Sequence, residues 1–152
     1  MVFWHRSNGP LILDYVRQVE RLLTIKFPKE YVASVIAHDG GHPEPNRFDT
    51  VRRKGYVMDR LLTLRDDPVG LLRIYSKIVE GLPHGIIPFG YEVTGDLICF
   101  DFKNSYETPS IVLWKHELAP DEEDVGSQEE MRRIGLEYIS NSYEEFIDSL
   151  YP

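Results

Sequence analysis

The residues best suited to chemistry in this 152-residue chain lie in the segment AHDGGHPEPN, residues 37–46. His38 and His42 flank a glycine pair, and Asp39 or Glu44 would be the third ligand of a metal ion. Histidines four residues apart act as paired ligands when a helix stacks them on one face. Here two glycines intervene, so the segment favours a helix-ending loop with partly exposed histidines over a metal site. Contact between His38 and a binding partner is a third interpretation, because an imidazolium is favoured near a helix C-terminus.

The chain has one cysteine, and its surroundings argue against a catalytic thiol. Cys99 lies in the apolar run Leu97–Phe100, where a strand would bury it and raise the pKa of the thiol. We therefore expect Cys99 to be packed in the core. A single cysteine also fits a reducing compartment, because it has no intramolecular disulfide partner.

Asp96 and Asp101 are the carboxylates that would have to act as a general acid and base. They are five positions apart on a predicted strand, so their side chains are expected on opposite faces, where they cannot serve one substrate. Asp96 is expected instead to turn the chain beside Gly95 and to accept hydrogen bonds from local backbone donors. The sequence also has no G-x-S-x-G elbow and no phosphate-binding glycine loop. These patterns do not favour an enzyme, and they indicate no metal and no cofactor.

Charge is unevenly distributed along the chain. The formal net charge is −8, from 17 basic and 25 acidic residues. Residues 117–152 contain eleven acidic residues against two arginines, a net charge of −9, so the first 116 residues sum to about +1. An acidic segment of this kind repels nucleic acid and attracts basic protein surfaces. The alternative is that the acidic residues only keep the protein in solution.

The sequence predicts one cytoplasmic domain over residues 1–152, with an N-terminal arm (1–10) and an acidic loop (118–131). This length buries a sufficient core without a disulfide or metal. No stretch approaches the roughly 18 apolar residues of a membrane span, and the start MVFWHRSNGP does not have the pattern of a signal peptide. Phe3 and Trp4 in the arm either dock onto the domain or serve a contact.

Helical signals occur in four places. Apolar residues at helical spacing predict a first helix over about residues 11–26. Pro28 marks the start of a second helix, which ends at Gly40-Gly41. Asp66-Asp67-Pro68 predicts the start of a third helix, and the final helix is capped by Ser140 or Ser142.

Short β-branched and aromatic runs indicate strands between these helices. Residues 47–51 and 56–64 form a predicted hairpin around a basic turn, and residues 86–89, 97–102 and 111–114 a predicted antiparallel meander. Strands that are grouped rather than alternating with helices favour an α+β fold, with helices flanking an antiparallel sheet.

Four motifs in this order resemble the SUKH superfamily. VERLLTIKFPKEYVASVIAHDGG resembles the opening helices, IIPFGYEVTGDLICFDF the central signature, SIVLWKHE the next strand and YISNSYEEFIDSL the closing helix. His38-Asp39 stands where the family has an asparagine. The positions that fill the motifs, expected to be mainly structural, are Glu20, Pro28, Tyr31, Gly40, Gly41, Pro88, Gly95, Asp96, Asp101, Trp114, Ser142 and Phe146.

The resemblance implies a non-enzymatic binding protein without a cofactor. The superfamily that the chain resembles includes many bacterial immunity proteins, which bind polymorphic toxins that are often nucleases. It also includes the yeast cell-wall assembly regulator. We expect a basic cognate toxin as partner, with no direct nucleic-acid or membrane binding, and a monomer or weak homodimer; the alternative is a regulatory scaffold without a toxin. The candidate partner-binding residues are Glu117, Asp121, Glu122, Glu123, Asp124, Glu129 and Glu130.

Overall fold

The computed structural model of the chain describes residues 1–120 and 122–152. Its strands within those ranges are β1 (Phe3–His5), β2 (His42–Glu44), β3 (Arg47–Phe48), β4 (Tyr56–Leu61), β5 (Ile86–Glu92), β6 (Leu97–Asp101), β7 (Ser110–Trp114) and β8 (Leu136–Ser140). Strands β3 to β8 form one antiparallel sheet in sequence order, and β1 pairs with β2 in a small second sheet.

The helices of the described chain lie before, between and after these strands. They are α1 (Leu13–Leu23), α2 (Lys29–His38), α3 (Leu71–Ile78), α4 (Glu122–Val125), α5 (Gln128–Gly135) and α6 (Tyr143–Ser149). The predicted α+β fold with helices flanking an antiparallel sheet is confirmed. Within the described ranges, no helix is long and apolar enough to cross a membrane.

Both outer strands of the large sheet have further backbone partners. On the β3 side, Arg47 N donates to the carbonyl of Tyr151 at 3.0 Å. On the β8 side, Val51 N donates to the carbonyl of Tyr138 at 3.0 Å. These bonds cover strand edges that would otherwise be open to pairing, and they place the connection between β3 and β4 next to β8.

Aromatic side chains fill the main core between the sheet and helices α2 and α6. The ring centroids of Phe89 and Phe100 are 4.3 Å apart, and Tyr31 meets Phe100 at 5.1 Å and Tyr143 at 5.5 Å. A smaller apolar cluster includes Cys99, and its members alternate along β6 with residues of the main core. Strand β6 is thus buried on both faces, which explains its continuous apolar run.

The predicted elements are confirmed in their order, with differences at their ends. The third helix begins at Leu71 instead of Pro68, because Asp67 forms a turn in which its carboxylate accepts from Val69 N and its carbonyl from Gly70 N, each at 2.9 Å. Ser142, the second of the two proposed caps, accepts from Glu145 N at 3.1 Å and begins α6.

Two segments differ from their predicted structure. The prediction of an acidic loop over residues 118–131 is wrong, because α4 and the first half of α5 lie in it. The N-terminal arm contains strand β1, and Trp4 stacks against His38 with ring centroids 6.1 Å apart. Phe3 remains 65% exposed, so only Trp4 of this apolar pair docks on the domain.

Candidate partner-binding surface

Helix α5 carries two of the candidate partner-binding residues, Glu129 and Glu130, and Ser127 caps its N-terminus. The hydroxyl of Ser127 accepts a hydrogen bond from Glu130 N at 3.1 Å. Glu129 and Glu130 lie in the first turn, where negative charge interacts favourably with the exposed N–H groups. Met131 is buried on the opposite side, so α5 presents its carboxylates outwards.

Arg132 fastens this helix to the end of strand β6. Its guanidinium donates to both carboxylate oxygens of Asp101, at 2.8 and 3.1 Å, and to the carbonyl of His84 at 2.6 Å. Gln128 adds a second link, since its side-chain oxygen accepts from His84 N at 2.8 Å. A paired guanidinium and carboxylate has a defined geometry, so α5 is held in place at both of its ends.

The acidic face consists of the described candidates Glu117, Glu122, Glu123, Asp124, Glu129 and Glu130. All are exposed except Glu130, which is half-buried. Glu130 pairs with Arg133 at 2.7 Å, and this hydrogen bond lowers the pKa of the Glu130 carboxyl. Within the described chain Glu123, Asp124 and Glu129 form no ion pair. Asp121, the remaining candidate, lies outside the described residues.

Asp96 fixes the segment that leads into the acidic face. Its carboxylate is buried and binds Lys115 Nζ at 2.6 Å, His116 N at 3.1 Å and His116 Nδ1 at 2.6 Å. Burial alone would raise the pKa of Asp96, but these hydrogen bonds outweigh it and lower the pKa. The expectation that Asp96 accepts from local backbone donors is wrong, because its partners Lys115 and His116 follow strand β7. In this turn Glu92 accepts from Thr94 N instead.

Lys115 extends this polar contact across the sheet. Its ammonium donates to the hydroxyl of Tyr56 at 3.1 Å, and Tyr56 donates to Glu137 at 3.0 Å. Thr50 donates to the same Glu137 oxygen at 2.7 Å. Burial opposes the charge of Lys115, but its bonds to Asp96 and Tyr56 prevail and raise its pKa to about 12. The network, with Asp96, joins four chain segments whose proximity no local sequence pattern indicates.

The residues first considered as metal ligands bind separate partners. Asp39 is fully buried and accepts from Leu64 N at 2.8 Å and from Arg65 at 3.0 Å. His42 lies 3.7 Å from Asp59, and Glu44 binds His5 at 2.6 Å. Among residues 1–120 and 122–152, no group of three or more His, Cys, Asp or Glu is placed to hold a metal ion.

A cleft of about 620 Å³ lies at the start of α2, and both signs of charge line it. Lys26 and Lys29 are on its wall with Glu107 and Glu144, and Tyr106 is at its mouth, 77% exposed. The opposite charges balance, so the cleft selects neither an anion nor a cation by its charge.

Comparison with known families agrees with the motifs. The family model described as "SUKH_6: SMI1-KNR4 cell-wall" matches residues 14–147. This chain belongs to the SUKH superfamily. A search of curated proteins finds no match.

The SUKH motif residues at the first helices have structural roles. Glu20 is buried, and its carboxylate accepts from Phe27 N at 2.6 Å and from Arg17 at 2.7 Å, which fixes the loop between α1 and α2. Gly40 ends α2 with a φ of +71°, and a Cβ there would lie 2.5 Å from the Asn8 amide nitrogen. Only glycine satisfies both conditions without strain.

The later SUKH motif residues pack the sheet or pair across it. Gly95 has a φ of +103° beside the His116 ring, which lets the turn before β6 approach the end of β7. The remaining positions of all four motifs pack in the core, lie at the ends of helices or strands, or form the ion pairs described above: Pro28, Tyr31, Gly41, Pro88, Asp96, Asp101, Trp114, Ser142 and Phe146.

Proposed function

We propose that this SUKH protein is a cytoplasmic binding protein that neutralises a toxin by covering a basic surface on it. The observation that supports this most is the acidic face, where Glu123, Asp124 and Glu129 are exposed and form no ion pair within the described chain. Carboxylates left without a cation attract a positive surface and speed its approach.

The contacts that hold helix α5 in place also support binding. Arg132 and Gln128 hold α5 against the sheet, so Glu129 is presented from a fixed helix. A preordered surface loses less conformational entropy on binding than a mobile one. A nuclease toxin fits this surface, because such an enzyme must itself carry positive charge to hold nucleic acid.

The candidate catalytic residues support binding without catalysis. Cys99 is fully buried, and burial raises the pKa of its thiol well above the ordinary value, so the reactive thiolate is disfavoured. Asp96 and Asp101 lie at opposite ends of β6, and each is held in its own ion pair. Neither has a free carboxylate facing the other.

A regulatory scaffold is the second candidate function. The matching family model carries the words cell-wall in its description, which favours the branch of the superfamily that includes the cell-wall assembly regulator. The two functions differ in their genetic setting. A gene for a toxin domain next to the gene for this chain favours immunity, and no such neighbour favours the scaffold.

The direct test is rescue of growth. Cells that express the toxin domain encoded beside this chain are expected to stop growing, and the wild-type chain is expected to restore growth. The variant Glu123→Lys/Asp124→Lys/Glu129→Lys should rescue poorly, because like charges then face each other. The matched control Asp14→Lys/Glu107→Lys/Asp148→Lys makes the same charge change at exposed positions elsewhere and should rescue fully.

The outcomes separate the parts of the proposal. Failure of the wild-type chain to restore growth would overturn the toxin-neutralising function. Equal rescue by the wild-type chain and both variants would show that the chain neutralises the toxin without using the acidic face.

A further inference from the structure

A second charged surface lies beside the acidic face. The basic turn, residues 52–54, joins β3 to β4, and Arg52, Arg53 and Lys54 are all exposed. Within the described chain none of them forms an ion pair. Arg53 instead lies over the ring of Tyr56, 4.8 Å from its centroid. Three exposed cations that form no ion pair in the described chain therefore project from one turn.

Helix α5 connects this basic turn to the acidic face. Arg52 donates to the carbonyl of Arg133, in the last turn of α5, at 3.2 Å. Glu129 in the first turn is four residues before Arg133, and both are exposed. Residues four apart lie on one side of a helix, about 6 Å apart along its axis. Opposite charges are therefore neighbours on one surface.

Exposed apolar side chains adjoin the basic turn. Val51 is 70% exposed and Tyr138 is 39% exposed. Their backbones are joined by the 3.0 Å hydrogen bond from Val51 N to the Tyr138 carbonyl. Exposed tyrosine side chains are common among the central contacts of protein interfaces.

We propose that this combined surface binds a second copy of the chain. A nucleic acid complements only the basic turn and a basic protein only the acidic face, whereas a second copy complements both. In a two-fold dimer each contact occurs twice, so the basic turn of one copy meets the acidic face of the other in both directions. Val51 and Tyr138 adjoin the basic turn, so the same contact would also bury their exposed apolar surface.

The dimer covers the carboxylates that the proposed function assigns to a basic partner. The homodimer and the toxin complex therefore exclude each other. In the absence of toxin the acidic face is buried in the homodimer, and a toxin that binds more tightly displaces the second copy. This consequence alone rests on the proposed function, because the dimer itself needs no toxin.

Exchange of charges between two variants tests the dimer. Variant A is Arg52→Glu/Arg53→Glu/Lys54→Glu, and variant B is Glu123→Lys/Asp124→Lys/Glu129→Lys. Light scattering after size exclusion at low ionic strength should show a wild-type dimer that dissociates as salt is added. A and B should each be monomeric, with self-association weakened about tenfold or more, because their altered faces repel.

An equimolar mixture of A and B should form a heterodimer, since the acidic turn of A meets the basic face of B and the reverse contact stays native. The control Asp14→Lys/Glu107→Lys/Asp148→Lys should dimerise like the wild type. If variant A fails to fold because it loses the contact between Arg53 and the Tyr56 ring, the double variant Arg52→Glu/Lys54→Glu is used in its place. A monomeric wild type at every concentration, dimers of A or B alone, or no association in the mixture would overturn the proposal.

Discussion

Buried carboxylates are the residues on which the local structure depends most. Asp39 accepts a main-chain N–H from Leu64 and pairs with Arg65, and Arg65 also donates to the carbonyl of Pro10 at 3.0 Å. One carboxylate therefore joins the end of α2, the segment after β4 and the N-terminal arm. Asp39, which in sequence resembles part of a metal site, is therefore a structural junction in the fold.

Replacement of Asp39 by Ala is expected to destabilise the protein by about 3 kcal/mol, because it leaves the buried Leu64 N–H without its acceptor and Arg65 without its counter-charge. Urea denaturation measures this change. The control Asp66→Ala breaks an exposed pair with Arg73 and should destabilise the protein far less, because solvent screens exposed ion pairs. Equal losses in the two variants would show that Asp39 contributes no more than a surface residue.

The contact between Asp96 and Lys115 predicts a pH dependence of stability. The folded-state pKa of Asp96 is lowered from 3.8, so its contribution is present above pH 3.8 and is lost as the pH falls through the lower folded value. The pKa of Lys115 is raised from 10.5 to about 12, so its contribution is lost as the pH rises through that range. Lys115→Met should therefore be less stable than the wild type at neutral pH.

That difference in unfolding free energy should narrow as the pH falls through the lowered folded-state pKa of Asp96, where its carboxylate becomes protonated. Urea denaturation of the two proteins across the acid range gives the comparison. Lys103→Met serves as a control, because it removes an exposed lysine that forms no ion pair in the described chain. A difference that is constant with pH would exclude the ion pair as its cause.

Secondary-structure elements differ in how well the sequence predicts them. Strand β6 and helix α2 are predictable because a continuous apolar run and a Pro start with a Gly end are local signals. Strand β8 is not, since its sequence LEYIS mixes polar and apolar residues and follows directly on α5. The candidate acidic residues were found from composition, but the Arg132 contact that fixes them depends on Asp101, far away in the chain.

Loss of this contact should loosen α5 without unfolding the sheet. In Arg132→Met we expect faster amide hydrogen exchange in α5, while exchange in β5 and β6 stays slow, because the main core does not involve Arg132. Arg133→Met is the matched control, since its pair with Glu130 lies on the surface. Equal protection of α5 in Arg132→Met and the wild type would show that the Asp101 pair does not hold the helix.

At the scale of the whole molecule, charge and topology act together. The first 116 residues have a net charge of about +1 and the remainder −9, yet the hydrogen bond from Val51 to Tyr138 brings a basic turn of the first part beside the acidic second part. The sequence shows the two charge blocks. Their arrangement on one surface follows only from the way both outer strands of the sheet are covered.

The affinity of the purified chain for the neighbouring toxin domain, measured by calorimetry at low and high ionic strength, tests the acidic face as the binding surface. We expect a tight complex that weakens as salt is added. Glu123→Lys/Asp124→Lys/Glu129→Lys should weaken it by about tenfold or more, and Asp14→Lys/Glu107→Lys/Asp148→Lys should not. An affinity that changes neither with salt nor with reversal of the acidic face would contradict binding through these carboxylates.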